Sequence, residues 1–248
     1  MYTKYIRMGK KIVVSLSSFI ASFIMLTGVA SASTQYQAGT TGVDISYPNC
    51  RTTVPSESFG VVGVENGLGF SQNPCLTHEA GHFTNLSLYA NTGYPGATSS
   101  NAQKYMTSPK ACAAADLNCI AYDYGYNQGL YANNYAVSSN VRAITWWLDV
   151  ENTNSWTSDV IQNQNSLLGE HDSLIASGAT TVGAYSTTAQ WNNITGSWHN
   201  GWPNWGATTW TSASQAQTYC SGHQFTGGQS LLMQFESRKS QIDQDVAC

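Results

Sequence analysis

Charged side chains are scarce in this chain of 248 residues, where Asp, Glu, Lys and Arg together make up 10% of the sequence. An average soluble protein has about 25%. The ten basic residues are also outnumbered by fourteen acidic ones. A chain with so little positive charge does not attract nucleic acid or an anionic surface by charge alone. We therefore expect no nucleic-acid partner.

Apolar runs long enough to span a bilayer are missing after residue 29. Residues 12–29 are apolar, follow four basic residues and lead into the small-residue sequence Ala30-Ser31-Ala32. This order predicts a secretory signal peptide, residues 1–32, that is cleaved after Ala32. An uncleaved membrane anchor is the alternative, because the run is on the long side. After cleavage we expect a secreted, extracellular or cell-wall-associated protein without stable membrane association.

Internal repeats and long Pro- or Ser-rich linkers are also absent from the remaining residues, 33–248. Their length suits one domain with a full core, including a β/α barrel. Six basic and fourteen acidic side chains give this part a net charge of −8. We expect residues 33–248 to form a single, monomeric domain.

The six cysteines include no C-x-x-C pair, so a zinc site built on thiolates is not expected. An even number of cysteines behind a signal peptide predicts three disulfides, for which fifteen connectivities are possible. Cys112 and Cys119 would close a short loop. For the other two we favour the pairs Cys50–Cys75 and Cys220–Cys248.

Short β-prone runs alternate with helix-like stretches. The helix candidates are residues 75–82, 122–139, 159–177 and 212–220. The strand candidates are residues 42–46, 60–65, 86–91, 144–151, 180–186, 204–208, 230–236 and 241–245. Eight strands that alternate with helices predict an α/β fold with a closed barrel. The last connection is too short for a helix, so the barrel should be irregular and contain an antiparallel pair.

The segment I-T-W-W-L-D-V-E-N, residues 144–152, carries the chemistry. Because side chains alternate along a strand, Asp149 and Glu151 point one way and Leu148 and Val150 the other. In a barrel, the two acids would face the mouth at the C-terminal end of the strand, where active sites lie. Repulsion should keep one of them protonated to higher pH, as glycosidic cleavage requires. The alternative is that both acids end a strand in solvent.

Two further acids favour a catalytic site over a solvent-exposed strand end. Asp44 ends the first strand candidate and Asp243 lies in the last. The first and last strands of a barrel are neighbours, so both acids would reach the rim that carries Asp149 and Glu151. Four of only fourteen acids would then surround one pocket.

The order of these elements resembles the family 25 glycoside hydrolases, lysozymes that cut muramic acid–glucosamine links in peptidoglycan. The matching pieces, in chain order, are G-V-D-I-S with Asp44, L-D-V-E with Asp149 and Glu151, V-G-A-Y-S-T with Tyr185, N-W-G-A with Trp205, L-M-Q-F with Gln234 and I-D-Q-D with Asp243. They span nearly all of residues 33–248. The resemblance implies an irregular TIM-like barrel of five β/α units followed by three β-strands, and no cofactor.

The resemblance also implies roles for single residues. Glu151 matches the general acid/base, and Asp149 matches the carboxylate that steers the substrate's N-acetyl group or stabilises the oxocarbenium-like centre. Asp44 and Asp243 match two supporting carboxylates. Peptidoglycan or a related glycan is the expected partner. The expected substrate contacts are Tyr47, Glu65, Tyr185, Trp191, Trp205 and Gln234; for each aromatic side chain, packing in the core is the alternative.

The sequence departs from the family at the second strand, which reads G-V-E-N-G over residues 63–67 and lacks the usual lysine. Its cysteines and the segment W-W-L-D-V-E-N-x-N-S-W look more like a secreted bacterial subgroup that is similar to the lysozymes in fold. A barrel that binds cell-wall glycan without cleaving it is therefore the alternative function.

H-E-A-G-H, residues 78–82, has the H-E-x-x-H spacing of zinc peptidases, in which His78 and His82 would hold the metal and Glu79 act as base. Such a site needs a third ligand, and the residue six positions after His82 is Leu88, in a predicted strand. We therefore expect a solvated helix face on the outside of the barrel and no catalytic metal.

Overall fold

A computed structural model describes residues 35–236 and 242–248. The predicted signal peptide, residues 1–32, and the first residue of the last strand candidate, Gln241, lie outside this part. The strands are β1 Thr41–Ile45, β2 Phe59–Gly63, β3 Leu86–Asn91, β4 Thr145–Asp149, β5 Thr181–Ser186, β6 Asn204–Ala207, β7 Ser230–Phe235 and β8 Asp243–Ala247. The α-helices are α1 Leu76–Ala80, α2 Ser100–Tyr105, α3 Leu117–Ser138, α4 Val160–Ala176, α5 Thr188–Thr195 and α6 Ala213–Gln217.

The eight strands close into one barrel in chain order. Pairing is parallel from β1 to β7, whereas β8 runs antiparallel to both of its neighbours, β7 and β1. The predicted α/β barrel with an antiparallel pair is therefore confirmed, and the structure shows that β8 is the antiparallel strand. α-Helices follow β2 to β6, but β1 is followed by a 3-10 turn, Tyr47–Asn49.

Two of the helices were not predicted from the sequence. They are α2, with six residues, and α5, with eight. Both begin at a hydroxyl N-cap: Ser99 accepts a hydrogen bond from the backbone N–H of Ala102, and Thr187 accepts one from Gln190. Capping was thus the available sequence signal.

Apolar side chains form two layers. The outer layer lies between strands and helices and includes Ile45, Leu88 and Leu148, each at most 1% exposed. The inner layer, which includes Phe59 and Trp147, fills the barrel below its mouth. Strand alternation sends neighbouring residues to different layers, so that β2 and β4 each contribute to both.

Glycines make room for the large rings inside the barrel. A Cβ atom on Gly183 of β5 would lie 2.4 Å from the ring of Trp147, and one on Gly42 of β1 would lie 2.3 Å from the ring of Phe59. The inner layer therefore combines bulky aromatic rings with glycines opposite them, which closes the bottom of the barrel.

Helices α3 and α4 cross at close range because glycines face the partner backbone. A Cβ on Gly125 would lie 1.8 Å from the carbonyl oxygen of Ser166, and one on Gly169 would lie 2.0 Å from that of Tyr122. Backbone atoms on both sides cannot move aside without separating the helices, so this contact fixes their spacing.

We predict that Gly169→Ala lowers the free energy of unfolding by about 1–3 kcal/mol, the usual range for an overpacked core. Urea unfolding followed by circular dichroism measures this change. Gly81→Ala is the control, because Gly81 has φ −64° and a Cβ there would lie 3.3 Å from the nearest atom. Equal stabilities of the two variants would contradict the close helix contact.

Three disulfides join Cys50 to Cys75, Cys112 to Cys119 and Cys220 to Cys248, which are the pairs favoured from the sequence. The third ties the end of β8 to the segment that precedes β7. Within the described residues, no helix has the length and apolarity needed to cross a bilayer.

Candidate active site

Strand β4 delivers two acids to the mouth of the barrel. Trp146 and Leu148 belong to the outer layer, while Trp147 fills the barrel interior and Asp149 ends the strand on that same side. The strand is shorter than predicted, so Glu151 belongs to the loop that follows it. The indole N–H of Trp156 donates a 2.7 Å hydrogen bond to the backbone carbonyl of Glu151 and thereby holds this loop.

A cavity of about 160 Å³ opens at the mouth. It is lined by Asp44, Tyr89, Asp149, Glu151, Tyr185, Trp205, Gln234 and Asp243. The structure thus brings all four carboxyl groups selected from the sequence to one cavity, together with three of the six side chains expected to contact substrate.

Asp149 is the deeper member of the β4 pair and is 7% exposed. Its Oδ2 accepts a 2.8 Å hydrogen bond from Nδ2 of Asn91, whereas Oδ1 has no hydrogen-bond partner among the described residues. Burial, and then the charge of Glu151, raise the pKa of Asp149 from 3.8 to about 7. Asp149 therefore carries a proton in mildly acidic solution, where an ordinary aspartate is ionised.

Asp44 lies across the cavity and is held by a chain of side-chain amide and hydroxyl groups. Nε2 of Gln234 donates to Oδ2 of Asp44 at 2.9 Å, and the hydroxyl of Tyr185 donates to Oε1 of Gln234 at 2.6 Å. Burial, and then the charge of Asp243, raise the pKa of Asp44. The chain fixes the orientation of Gln234, whose amide oxygen faces the tyrosine and whose nitrogen faces the carboxyl group.

Asp245 is an acid of this site that the sequence analysis missed. It is fully buried, and its Oδ1 accepts a 2.7 Å hydrogen bond from the indole N–H of Trp205. Burial, and then the charge of Asp44, raise its pKa well above the ordinary value. Asp245 lies two positions after Asp243 along β8, so strand alternation, which places both on one face, was the signal for it.

Asp243 occupies a different position from its buried neighbour. It begins β8, pairs in register with Asp44 and is exposed at the rim. Partial desolvation, and then the charge of Glu236, raise its pKa. Within the last strand, the acid that lies deepest in the barrel is therefore Asp245.

Three residues expected to contact substrate lie outside this cavity. Trp191 has no exposed surface; its ring stacks on that of Trp198, and its indole N–H donates to the Trp198 carbonyl at 2.9 Å. The expectation of a sugar-stacking wall at Trp191 is corrected, because a fully enclosed ring offers no face to a ligand. Tyr47 is 42% exposed on the turn after β1.

Glu65 is the third of these residues and is 1% exposed. Its carboxylate accepts hydrogen bonds from the backbone N–H groups of Phe70, at 2.9 Å, and Asn91, at 2.7 Å. These bonds tie the loop after β2 to the end of β3. The expected substrate contact is corrected to a supporting role, because both carboxylate oxygens bind backbone groups.

Asn91, the last residue of β3, was also missed. Its position at the C-terminal end of a barrel strand, where functional side chains collect, was the available signal. Its side chain contacts Asp149, its backbone N–H contacts Glu65, and Nε2 of Gln128 donates to its carbonyl oxygen at 2.8 Å. Asn91 thus joins three parts of the fold directly behind the cavity.

The H-E-x-x-H segment begins in α1 on the outside of the barrel, but this helix ends at Ala80, before the predicted residue 82, so His82 lies in the turn that follows. The rings of His78 and His82 are 5.0 Å apart and exposed, as expected for a solvated face. Glu79, by contrast, is 1% exposed and accepts a 2.6 Å hydrogen bond from Nδ2 of Asn73. An inward-turned, bonded carboxylate is not placed to activate a water on the histidine pair.

Groups of three side chains that could hold a metal ion are rare in residues 35–236 and 242–248. One such group is found there, Cys112, Cys119 and Asp123, and its two cysteines are joined in a disulfide. Sulfur atoms that are bonded to each other are not available as thiolate ligands.

Comparisons with known proteins were made with sequences and with structures. No protein-family model and no curated protein sequence matches the chain. Solved structures do match. A muramidase from Acremonium alcalophilum superposes with a TM-score of 0.56 at 16% identity, over 84% of this chain and 93% of that chain. The chain has the fold of the family 25 lysozymes.

Two further structures support this assignment of the family 25 fold. The lysozyme from Streptomyces coelicolor gives a TM-score of 0.53 at 15% identity, over 85% of this chain and 93% of that one. A family 25 glycosyl hydrolase from Bacillus anthracis gives 0.52 at 11% identity, over 85% and 89%. The resemblance expected from the short motifs is confirmed at the level of the fold.

Proposed function

We propose that the protein is a secreted glycoside hydrolase that cuts N-acetylmuramic acid–N-acetylglucosamine links in peptidoglycan. One observation carries the proposal: Asp149 and Glu151 meet Asp44 and Asp243 around one cavity at the mouth of a family 25 fold. The solved structures with this fold include muramidases and lysozymes. Three disulfides support export to an oxidising environment.

Glu151 acts as the general acid and then as the general base. It protonates the glycosidic oxygen while the bond from that oxygen to the anomeric carbon breaks. As a carboxylate it next takes a proton from the water that adds to the anomeric carbon, which restores the acid. Its place on a loop, rather than within the strand, brings this carboxyl group to the open side of the cavity.

Asp149 supports the electron-poor centre that forms in this step. Its carboxyl group either orients the N-acetyl group of the substrate or, when ionised, stabilises positive charge at the anomeric carbon. Asn91 holds its Oδ2, so that the group has a defined orientation before substrate arrives. Asp44, Gln234 and Tyr185 form the opposite wall of the cavity.

Digestion of purified peptidoglycan, followed by reduction and mass analysis, tests the proposal. We expect new reducing ends on N-acetylmuramic acid, because the bond that breaks links this sugar to N-acetylglucosamine. New ends on N-acetylglucosamine would instead indicate a glucosaminidase. Intact glycan after prolonged incubation would overturn the assignment as a hydrolase.

A second function is a barrel that binds cell-wall glycan without cutting it. One observation favours it: no lysine or arginine lines the cavity within the described residues, and the second strand lacks the lysine that family 25 members usually have. This alternative predicts saturable binding of wall fragments and unchanged glycan chain length in the digestion experiment.

A further inference from the structure

The backbone N–H, the backbone carbonyl and both side-chain polar atoms of Asn91 each make a hydrogen bond, and in each bond the donor and the acceptor are fixed. Its Oδ1 accepts a 3.2 Å hydrogen bond from the backbone N–H of Gly67, while its Nδ2 donates to Oδ2 of Asp149 at 2.8 Å. A backbone N–H cannot accept a hydrogen bond, so Oδ1 has to face Gly67 and Nδ2 has to face Asp149, whether or not Asp149 carries a proton. The Asn91 side chain therefore always presents a donor to Asp149.

The backbone of Asn91 is held as firmly as its side chain. Its N–H donates to Oε2 of Glu65 at 2.7 Å, and its carbonyl oxygen accepts from Nε2 of Gln128 at 2.8 Å. Both partners are buried, with at most 1% exposure, and Gln128 also donates to Glu170 at 3.1 Å. Loop, strand and helix thus fix the position from which Asn91 reaches Asp149.

Asn91 does not line the cavity that holds the four acids. It lines a neighbouring cavity of about 180 Å³ together with Gly67 and Gln128, and it reaches the acids through its hydrogen bond to Asp149. We propose that Asn91 is a positioning residue, which orients the Asp149 carboxyl group through its Oδ2 and links that group to the loop after β2. The inference rests on the proposed function, because Asp149 matters for glycan cleavage only if the site is a hydrolase. Its geometric part can be tested without any activity.

A donor to a carboxylate favours the ionised form, so Asn91 lowers the pKa of Asp149 against the larger effect of burial. Asn154 lowers the pKa of Asp149 in the same way, as a second hydrogen-bond donor. The titratable groups around Asp149 act in the opposite direction or not at all, because they are acids and tyrosines rather than cations. They are Glu151, Asp44, Glu65, Glu170, Tyr89 and Tyr185. Removal of Asn91 should therefore move the titration of Asp149 to higher pH.

Two variants distinguish the effect of the Nδ2 donor to Asp149 from the effect of the whole Asn91 side chain. Asn91→Ala removes both side-chain bonds, whereas Asn91→Asp keeps an oxygen for the Gly67 N–H and removes the donor to Asp149. We expect the limb of the cleavage pH profile that belongs to Asp149 to rise by about one pH unit in Asn91→Ala, as for the loss of a charge-assisted hydrogen bond. The rise should be larger in Asn91→Asp, and kcat should fall more than KM changes.

The pH dependence of urea unfolding provides the readout that needs no catalysis. In Asn91→Ala, the pH range over which stability falls should extend upward by the same amount as the limb of the pH profile. In an Asp149→Asn background Asn91→Ala should cause no such shift, because the group that titrates is gone. Asn163→Ala is the matched control: Asn163 is 1% exposed, and its amide bonds the carbonyls of Thr157 and Ile194, away from the cavity.

An unfolding profile of Asn91→Ala that has the wild-type shape would overturn the positioning role. A similar pH shift in Asn163→Ala would also refute the positioning role. So would a shift caused by Asn91→Ala that persists in the Asp149→Asn background. If wild-type protein cuts no glycan but the unfolding shift appears, the proposed function fails and the geometric inference stands. If wild type cuts glycan and the shift is missing, the inference fails alone.

Discussion

Glu151→Gln should lower the rate of peptidoglycan cleavage by at least about a hundredfold, the lower range for loss of a general acid or base. Glutamine has nearly the same size as glutamate but cannot give a proton to the glycosidic oxygen or take one from water. Substrate binding should change little, and KM with it. The bond from Trp156 to the Glu151 backbone does not involve the side chain, so the loop should keep its position.

Release of reducing ends at fixed enzyme concentration measures this loss, and thermal unfolding shows whether the fold is intact. Glu57→Gln makes the same chemical change away from the mouth, where Oε2 of Glu57 accepts a 2.7 Å hydrogen bond from Thr41, the first residue of β1. It should retain nearly full activity. If Glu151→Gln kept a third of the wild-type rate, Glu151 could not be the acid.

Asp149→Asn should change how the stability of the protein depends on pH. The pKa of Asp149 is raised from 3.8 to about 7, so the folded state binds a proton that the unfolded state releases. Below about pH 4 the Asp149 carboxyl group does not lower the stability of the folded state, because it is protonated in both states. The loss of stability grows as the pH rises between the two pKa values, 3.8 and about 7, and reaches its full size above about pH 7. Relative to wild type, Asp149→Asn should therefore gain about 2–3 kcal/mol of stability between pH 5 and pH 8.

Urea unfolding of both proteins at pH 5 and pH 8 measures this difference. Asp159→Asn is the control, since Asp159 is an exposed N-cap of α4, a role that asparagine fills as well. The pKa of Asp159 is lowered by its hydrogen bonds to Gln162, so it is ionised at both pH values and should show no such gain. A constant difference between Asp149→Asn and wild type would mean that Asp149 is ionised throughout this range. The variant should also cut glycan poorly, so that stability and activity change in opposite directions.

The fold was largely predictable because its signals are local. Eight β-prone runs, the helix that stops before Gly178 and the alternation around Asp149 can each be recognised within one element. Strand boundaries were less certain, and β4 ends at Asp149 rather than at Glu151. Helices α2 and α5 were not predicted, and their sequence signals are the N-cap residues Ser99 and Thr187.

The sequence by itself determined which face of β4 carries Asp149, because strand geometry forces Trp147 and Asp149, two positions apart, onto the side opposite Leu148. It also determined that the first and last strands bring further acids to the same rim, once a closed barrel is accepted. Only the tertiary structure decided which polar groups lie behind that rim. Asn91, Asp245 and Glu65 acquire their roles from neighbours 26 to 201 residues away in the chain.

The same distinction separates Trp191 from Trp205. Both residues follow or lie within strand-like segments, so the local sequence does not show which of the two side chains faces the interior of the barrel. Trp205 sits on β6 with its ring in the barrel, 5.8 Å from that of Trp147, whereas α5 turns Trp191 into the outer layer. The direction in which an element presents its side chain depends on how that element packs, and packing is a property of the whole chain.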